Sequence, residues 1–470
     1  MKKLLIIILT GSLIYLSGCK LGPAYQKTNF DLADQYRYDS ATSDTVLNLR
    51  WWEIFNDPVL DTLVHTALRQ NKDVLIAAAR INAAKATVGY NKADQFPTVN
   101  VAAGAARGNF AGTKLATTNN SFYAYPELFW EVDFWGKYRS ATDASRAQLA
   151  ASQYGMRTIQ ISLISMVVNT YFELLEYKSK LEISHNTLLS RKAGLKILED
   201  RYKYGTVAEI DLNQSQVQWA LAAAAVPTYE RSIALTESTL NILLGNLPES
   251  IKTGTDLMHQ PTPPDIPVGL PSQLIERRPD IKEAEENYKA ANEQIGVAIA
   301  MRLPSISLTG LLGLASDDLS TLTSNGLAWS AGASLLGPVF QFGKNKRRVD
   351  IATYEAQQAL LSYENTVLQA FKEVEDALVT IETIKRELTA LQVRYHAAMN
   401  AENLSWQRYD KGVTSYLEVI DSQTQSFQAQ LDYSQARQDL LSAYAQLYKA
   451  LGGGWLSSEE EKEYQSPPVK

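Results

Sequence analysis

A single cysteine stands in the 470 residues of this chain, at position 19. No disulfide can therefore form within the chain, and its fold must rest on packing. The four histidines, His65, His185, His259 and His396, lack the spacing of metal ligands, so neither a metal nor a cofactor is expected. Positive charge is not in excess: the net charge is −6, about −8 without Lys2 and Lys3, and nucleic acid is not an expected partner. No nucleophile, general base and oxyanion donors stand in an arrangement that would point to an enzyme. Proline is missing from positions 137 to 202 and again from 344 to 409, where Ala, Leu, Glu, Gln, Arg and Lys dominate. Each stretch can run as one helix, roughly 100 Å long at 1.5 Å per residue.

What the chain does have is an internal copy of itself. Gly89, Pro97, Gly136, Lys137, Arg201, Tyr202, Gly205 and Leu244 recur as Gly296, Pro304, Gly343, Lys344, Arg408, Tyr409, Gly412 and Leu451, each 207 residues on (344 − 137 = 207). Roughly 170 residues are duplicated without net insertion. A helix or strand that spans a fixed distance cannot gain residues without losing register, whereas loops can. The copy is a statement about dimensions.

The N-terminus opens on Met1, Lys2 and Lys3, continues through an apolar run from Leu4 to Leu16, and reaches Ser17, Gly18 and Cys19. A positive start, a short apolar core and a small-residue site predict a secretory signal over residues 1–18, too short to remain as a transmembrane helix. Its end resembles the bacterial lipobox, which implies an acylated Cys19. Several acyl chains anchor a protein stably, at about 0.8 kcal/mol per buried CH2. Residues 19–71 then form a lipidated segment with a compact block from Trp51 to Pro58 and a helix over about Val59 to Gln70. Copy one occupies 72–245, a proline-rich linker 246–278, copy two 279–452, and a tail 453–470.

Each copy starts with a helix and passes through a proline into alternating residues. Val99, Val101, Ala103 and Ala105 fall on one face, and a second run, Ser121 to Phe134, follows a Gly, Thr and Asn loop. In copy two Ile306, Leu308 and Leu312 alternate with Ser305, Ser307 and Thr309, and Leu327, Trp329 and Leu335 with Ala328, Ser330 and Ser334. Strands of this length, apolar on one side, suit a transmembrane β-barrel, although a half-buried soluble sheet alternates in the same way. Four strands cannot close a barrel alone, because lipid satisfies no edge; an oligomer is required. After each long helix a turn at Gly205 or Gly412 predicts a returning helix, stopped at Gly245 or Gly452. Pro227 predicts that the first returning helix is kinked or split.

These residues carry a family resemblance. Arg277, Arg278, Pro279, Asp280 and Ile281 with Ala284 and Glu285, Trp130 to Lys137, Gly337 to Lys344, Tyr416 to Gln423 and Trp51 to Leu60 together resemble outer-membrane efflux lipoproteins of the TolC and OprM type. The resemblance covers nearly the whole mature chain. It implies a membrane α+β fold: a homotrimer whose twelve strands make one barrel, continued by a long antiparallel α-helical periplasmic barrel. It also implies a passive efflux duct that works with a periplasmic adaptor and an inner-membrane RND-type transporter and is lipid-anchored in the outer membrane. The rival readings are a type I protein secretion duct and a structural coiled-coil lipoprotein.

The turns farthest from the strands are the expected partner-docking tips: Tyr202, Gly205 and Thr206 in copy one, and Tyr409, Gly412 and Thr414 in copy two. Glu418 and Asp421 lie three residues apart, on one helix face. In a trimer they amount to six carboxylates near one axis, and the resemblance implies that such acids line the tunnel constriction. Asp211 is the matching acid of copy one, where Gln214 answers Asp421. Simple solvated charges are the alternative reading. The gate of the resembling family carries an arginine where this chain has Thr414. Of the remaining motifs, Lys344, Lys346, Arg347 and Arg348 fit the membrane boundary. Trp130, Phe134, Trp135, Phe340 and Phe342 fit either an interfacial belt or core packing, and Arg278 with Asp280 a cluster capping the start of copy two.

Overall fold

The computed structural model describes residues 20–30, 36–37, 50–108, 118–264 and 271–453. The expected signal, Cys19, most of the tail and part of the loop before the second strand lie outside the described residues. A 3-10 turn, Trp51–Phe55, is followed by α1 (Pro58–Gln70), α2 (Lys72–Ala93), β1 (Thr98–Gly108), β2 (Asn119–Val132), α3 (Lys137–Lys203) and α4 (Glu209–Leu244). Then come α5 (Pro271–Arg277), α6 (Pro279–Ala300), β3 (Ser305–Ser316), β4 (Leu327–Leu336), α7 (Lys344–Asp410) and α8 (Tyr416–Ala450). The 207-residue offset reappears in three dimensions: α2 and α6, α3 and α7, and α4 and α8 begin at positions that differ by that number (279 − 72, 344 − 137, 416 − 209).

Local chemistry sets the ends of these elements. Asp57 precedes α1 and accepts from the amides of Val59 (2.9 Å) and Leu60 (3.3 Å), with Pro58 at the first helical position. Asn71 does the same for α2, accepting from Asp73 and Val74. At the far end of α4, Gly245 and Asn246 donate to Ile242 and Asn241; Gly452 and Gly453 close α8 in the same pattern on Lys449 and Tyr448. Of the kink or split expected at Pro227, the split does not occur: the helix α4 runs through it as one element. The carbonyl that the proline orphans belongs to half-buried Ala223, and a single lost bond does not split a 36-residue helix.

The chain divides into two compact units, each drawing on both copies. One takes Met1–Phe30, Ala79–Tyr154 and Lys282–Asn365. Among the described residues it holds one antiparallel sheet in the order β1-β2-β3-β4, in which β2 and β3 join the copies. Small residues let α6 approach α7: Ile295 and Ala298 pack on Ala352 and Ala356. Residues 20–30 are tied to the same unit. Lys20 bridges Asp143 and Glu293, both at 2.8 Å, Asn292 donates to the Pro23 carbonyl, and Tyr25 donates to Glu285 at 2.8 Å.

The other unit takes Asp31–Ala78, Gly155–Ile281 and Thr366–Lys470. Its core is aromatic: Trp51 stacks on Tyr448, and Phe55 meets Phe172 edge-on at 4.8 Å. Buried Asp57 also accepts from Tyr171 (2.6 Å) and from Gln260 (2.9 Å), so its charge is hydrogen-bonded on every side. Helix α3 contains a window long and apolar enough to cross a membrane, but more than half of it is buried inside the protein. From this stretch Leu163, Ile164, Val167, Val168, Tyr171, Phe172, Leu174 and Leu175 are buried, whereas Met166 is exposed.

Candidate functional site

The two expected tips are built alike. In copy one Gly205 donates to Tyr202 (2.9 Å) and Thr206 to Arg201 (3.0 Å); in copy two Gly412 donates to Tyr409 (2.9 Å) and Val413 to Arg408 (2.9 Å). This paired pattern needs a left-handed residue, and both glycines have φ of +69°. A side chain there would strain the turn, so the spacing between each long helix and its returning partner is set by glycine.

Beneath the turns lies a small core of Leu198, Tyr416 and Val419, packed against Trp406, Tyr409, Val207, Leu212 and Ile420. It joins both hairpins. Tyr409 and Tyr416 lie 5.3 Å apart, and burial pushes the Tyr416 hydroxyl above its ordinary pKa. Arg201 of the first tip reaches Asp410 of the second at 3.2 Å and lies over the Tyr409 ring.

The expected acids have distinct surroundings. Glu418 pairs with Arg408 at 3.1 Å and accepts from the Thr414 hydroxyl. Thr414, standing where the resembling gate has an arginine, therefore holds an acid. Asp421 accepts from Gln425 on its own helix at 2.7 Å. Asp211 sits in the first turn of α4, where the helix dipole favours an anion. Half of the carboxylate charge expected from Glu418 and Asp421 is thus offset by Arg408 within the same chain.

Sequence reasoning missed a buried cation behind these tips. Arg191 donates to the Gln218 carbonyl of α4 at 2.8 Å and to the Gln423 carbonyl of α8 at 3.4 Å, and lies over Phe427. Burial lowers its pKa and raises that of Glu402, whose charge faces it. The signal was present: Ser184, Arg191 and Leu198 recur at sevens on one helical stripe, and all three are buried.

Arg278, expected as part of a capping cluster, donates to Asp280 (2.6 Å), Glu373 (2.7 Å) and the Ala450 carbonyl (2.8 Å). Burial alone would lower its pKa; the two carboxylates outweigh that and raise it. The aromatics divide into two groups. Trp130 donates to the Gln95 carbonyl and Trp135 to that of Pro304, whereas Phe340 and Phe342 are 75% and 91% exposed. Among the basic cluster, Arg347 reaches Asp350 and Arg348 reaches Asn345.

With this geometry in view, the pattern of the outer membrane efflux proteins matches residues 63–246 and again 270–453. The chain belongs to the outer membrane efflux protein family. It is 32% identical over 465 residues to the solvent efflux pump outer membrane protein SrpC of Pseudomonas putida, covering 95% of this chain and 98% of that one. It is 32% identical to the cation efflux system protein CusC of Escherichia coli O6:H1, covering 94% and 96%. The solved CmeC outer membrane channel of Campylobacter jejuni superposes with a TM-score of 0.88 at 26% identity, over 96% of this chain and 99% of that one. As a member of the outer membrane efflux protein family the chain is the outer-membrane channel component of an efflux system. The fold class read from the sequence holds: a membrane α+β chain whose four strands serve a shared trimeric barrel continued by long antiparallel helices.

Proposed function

We propose that three copies form a passive exit duct, without chemistry of its own, that completes a tripartite pump. A periplasmic adaptor docks at Tyr202, Gly205, Thr206, Tyr409, Gly412 and Thr414, and an inner-membrane transporter supplies the energy. Acylated Cys19 anchors the duct in the outer membrane. The two matched tip turns carry this reading: they present the same backbone twice per chain, hence six times per trimer, as a repeated docking motif requires. Relatives named for solvents and for cations share nearly the full length of this chain, which favours cargo selection by the partners and not by the duct.

Asp421, Asp211 and Glu418 form the constriction in this reading. Because Arg408 offsets Glu418, Asp421 carries the larger share of the field. In planar bilayers Asp421→Ala should weaken cation selectivity and block by multivalent cations more than Glu418→Ala does, and the double variant should abolish the block. Unchanged selectivity in all three would remove these residues from the constriction. Labelled palmitate should enter the wild-type protein and not Cys19→Ser; a wild type without label refutes the anchor.

A further inference from the structure

The two long helices begin at equivalent positions with different electrostatics. Residues 131–141, from the end of β2 into α3, hold two acids and two bases; their counterparts 338–348, from β4 into α7, hold four bases and no acid. In copy one the charges are matched within the chain. Lys137 pairs with Glu131 at 2.8 Å, and Asp133 pairs with Arg139 at 3.2 Å while accepting from the Tyr138 and Arg139 amides. In copy two Pro338 and Phe340 stand where those carboxylates stood, yet Lys344, Lys346, Arg347 and Arg348 are all basic. The acids are gone and the bases have multiplied, which leaves room for an anion from outside the chain.

Lys344 and Arg348 line a cavity of about 470 Å³ at this junction, together with Ser305 and Gln341. The acids that also line it, Glu131 and Asp133, are those already paired. Lys344 has no ion-pair partner among the described residues, and Arg348 donates to the neutral side chain of Asn345 at 2.8 Å. Between the lining residues Pro338 and Lys344 the chain is largely apolar: Val339, Phe340 and Phe342 are 100%, 75% and 91% exposed, and the two rings lie 4.6 Å apart. Phe342 has φ of +49°, a left-handed conformation that costs free energy in any residue with a side chain. Its counterpart Trp135 is half-buried and donates to the Pro304 carbonyl at 2.8 Å. Copy one encloses the ring that copy two presents outward.

Resting on the reading that the sheet spans the outer membrane and the helices stand in the periplasm, we propose that this cavity is a phospholipid site. Lys344 and Arg348 hold the phosphate of a phosphatidylglycerol from the periplasmic leaflet, and Val339, Phe340 and Phe342 lie against its acyl chains. The junction of strand and helix stands at headgroup depth, where basic and aromatic side chains meet both their solvents. Both cations can donate charge-assisted hydrogen bonds to phosphate oxygens, the guanidinium as a fork. A small soluble anion would satisfy the cations and leave three apolar side chains in water, so a lipid is the better occupant. Because the lining acids are paired, no carboxylate is left to receive an ammonium, which favours a glycerol headgroup over ethanolamine.

Full-length protein in mild detergent, offered equal phosphatidylglycerol and phosphatidylethanolamine, should retain the former in native mass spectra, and inorganic phosphate should not displace it. Lys344→Gln/Arg348→Gln should weaken retention about 25-fold, roughly fivefold per cation. Lys346→Gln/Arg347→Gln removes the same charge from residues that do not line the cavity and should weaken it less than about threefold. Pro338→Glu/Phe340→Asp, which rebuilds the carboxylates of copy one, should abolish retention without removing any base, and so tests the site even if the glutamine pair fails to fold. Equal losses from the two glutamine pairs, equal retention of the two lipids, or retention that survives the rebuilt carboxylates overturns the site. Displacement by inorganic phosphate overturns the lipid as occupant, and a wild type that retains neither lipid, as when a carboxylate of a neighbouring copy fills the cavity, overturns the proposal as a whole. A wild type that does not fractionate with outer membranes overturns the reading on which it rests.

Discussion

Asn71 and Arg278 occupy equivalent places in the two copies (278 − 71 = 207), and they perform one task with different chemistry. Asn71 donates to the Leu243 carbonyl at 2.9 Å; Arg278 donates to the Ala450 carbonyl, which is the same position one copy on. Both stand beside the glycine that ends the returning helix: a Cβ on Gly245 would strike Gln70 and approach Asn71, and one on Gly452 would approach Arg278. The asparagine also caps its helix, while the arginine collects Asp280 and Glu373. The backbone geometry is shared between the copies, and the side chains that secure it have diverged.

The tips diverge in the same way. Arg201 and Arg408 are equivalent, as are Asp211 and Glu418. Arg408 stays with Glu418 in its own hairpin, whereas Arg201 crosses to Asp410, a position occupied by Lys203 in copy one. Aspartate is one methylene shorter than glutamate, and Asp410 offers a nearer carboxylate. The first helices differ as well. On α6, Lys282, Glu285 and Lys289 hold the segment around Tyr25, while α2 has the uncharged Leu75, Ala78 and Asn82 at those positions.

Substitutions should widen or close these differences. Arg278→Ala, which removes a buried cation and leaves Glu373 and the Ala450 carbonyl unanswered, should cost about 3 kcal/mol in unfolding experiments. Asn71→Ala removes a cap and one buried hydrogen bond and should cost about 1–2 kcal/mol. If the asparagine change costs as much as the arginine change, the two residues do not divide the task as described.

A smaller effect is expected at the N-terminal segment. Three opposing causes act on Glu285: burial raises its pKa, while the Tyr25 hydroxyl and the two lysines lower it, and the net shift is downward from 4.5. A depressed carboxylate contributes stability above its unfolded pKa and loses it as pH falls through the folded value. Limited proteolysis near Tyr25 should therefore accelerate below about pH 4.5. In Glu285→Gln the segment should be cut at a rate independent of pH across that window. The smallest effects belong to the tips: Arg201→Ala and Arg408→Ala should each change stability by less than about 1 kcal/mol, since both ion pairs are solvent-exposed. A double-mutant cycle on Arg201 and Asp410 measures the coupling between hairpins directly.

Much of the fold was legible because its signals are local. Period-two alternation marked β1 to β4, proline-free stretches marked α3 and α7, and glycines marked four helix ends within a residue or so of where they fall. Pro227 does not split its helix, because one lost hydrogen bond is outweighed by those of the rest of a 36-residue helix, a balance that the proline alone does not reveal. Arg191 was overlooked because the carbonyls it binds belong to residues 27 and 232 positions away.

The sequence by itself determined lengths, turns and the internal copy, since hydrogen bonds that span five residues or fewer and repeating side-chain periods are written into consecutive residues. Tertiary structure alone decided which partner each charge finds: Arg201 to Asp410, Glu418 to Arg408 and Thr414, Asp57 to Tyr171 and Gln260. Such choices turn on distances between side chains brought together from as many as 209 residues apart. A difference of one methylene is settled only once the helices have packed.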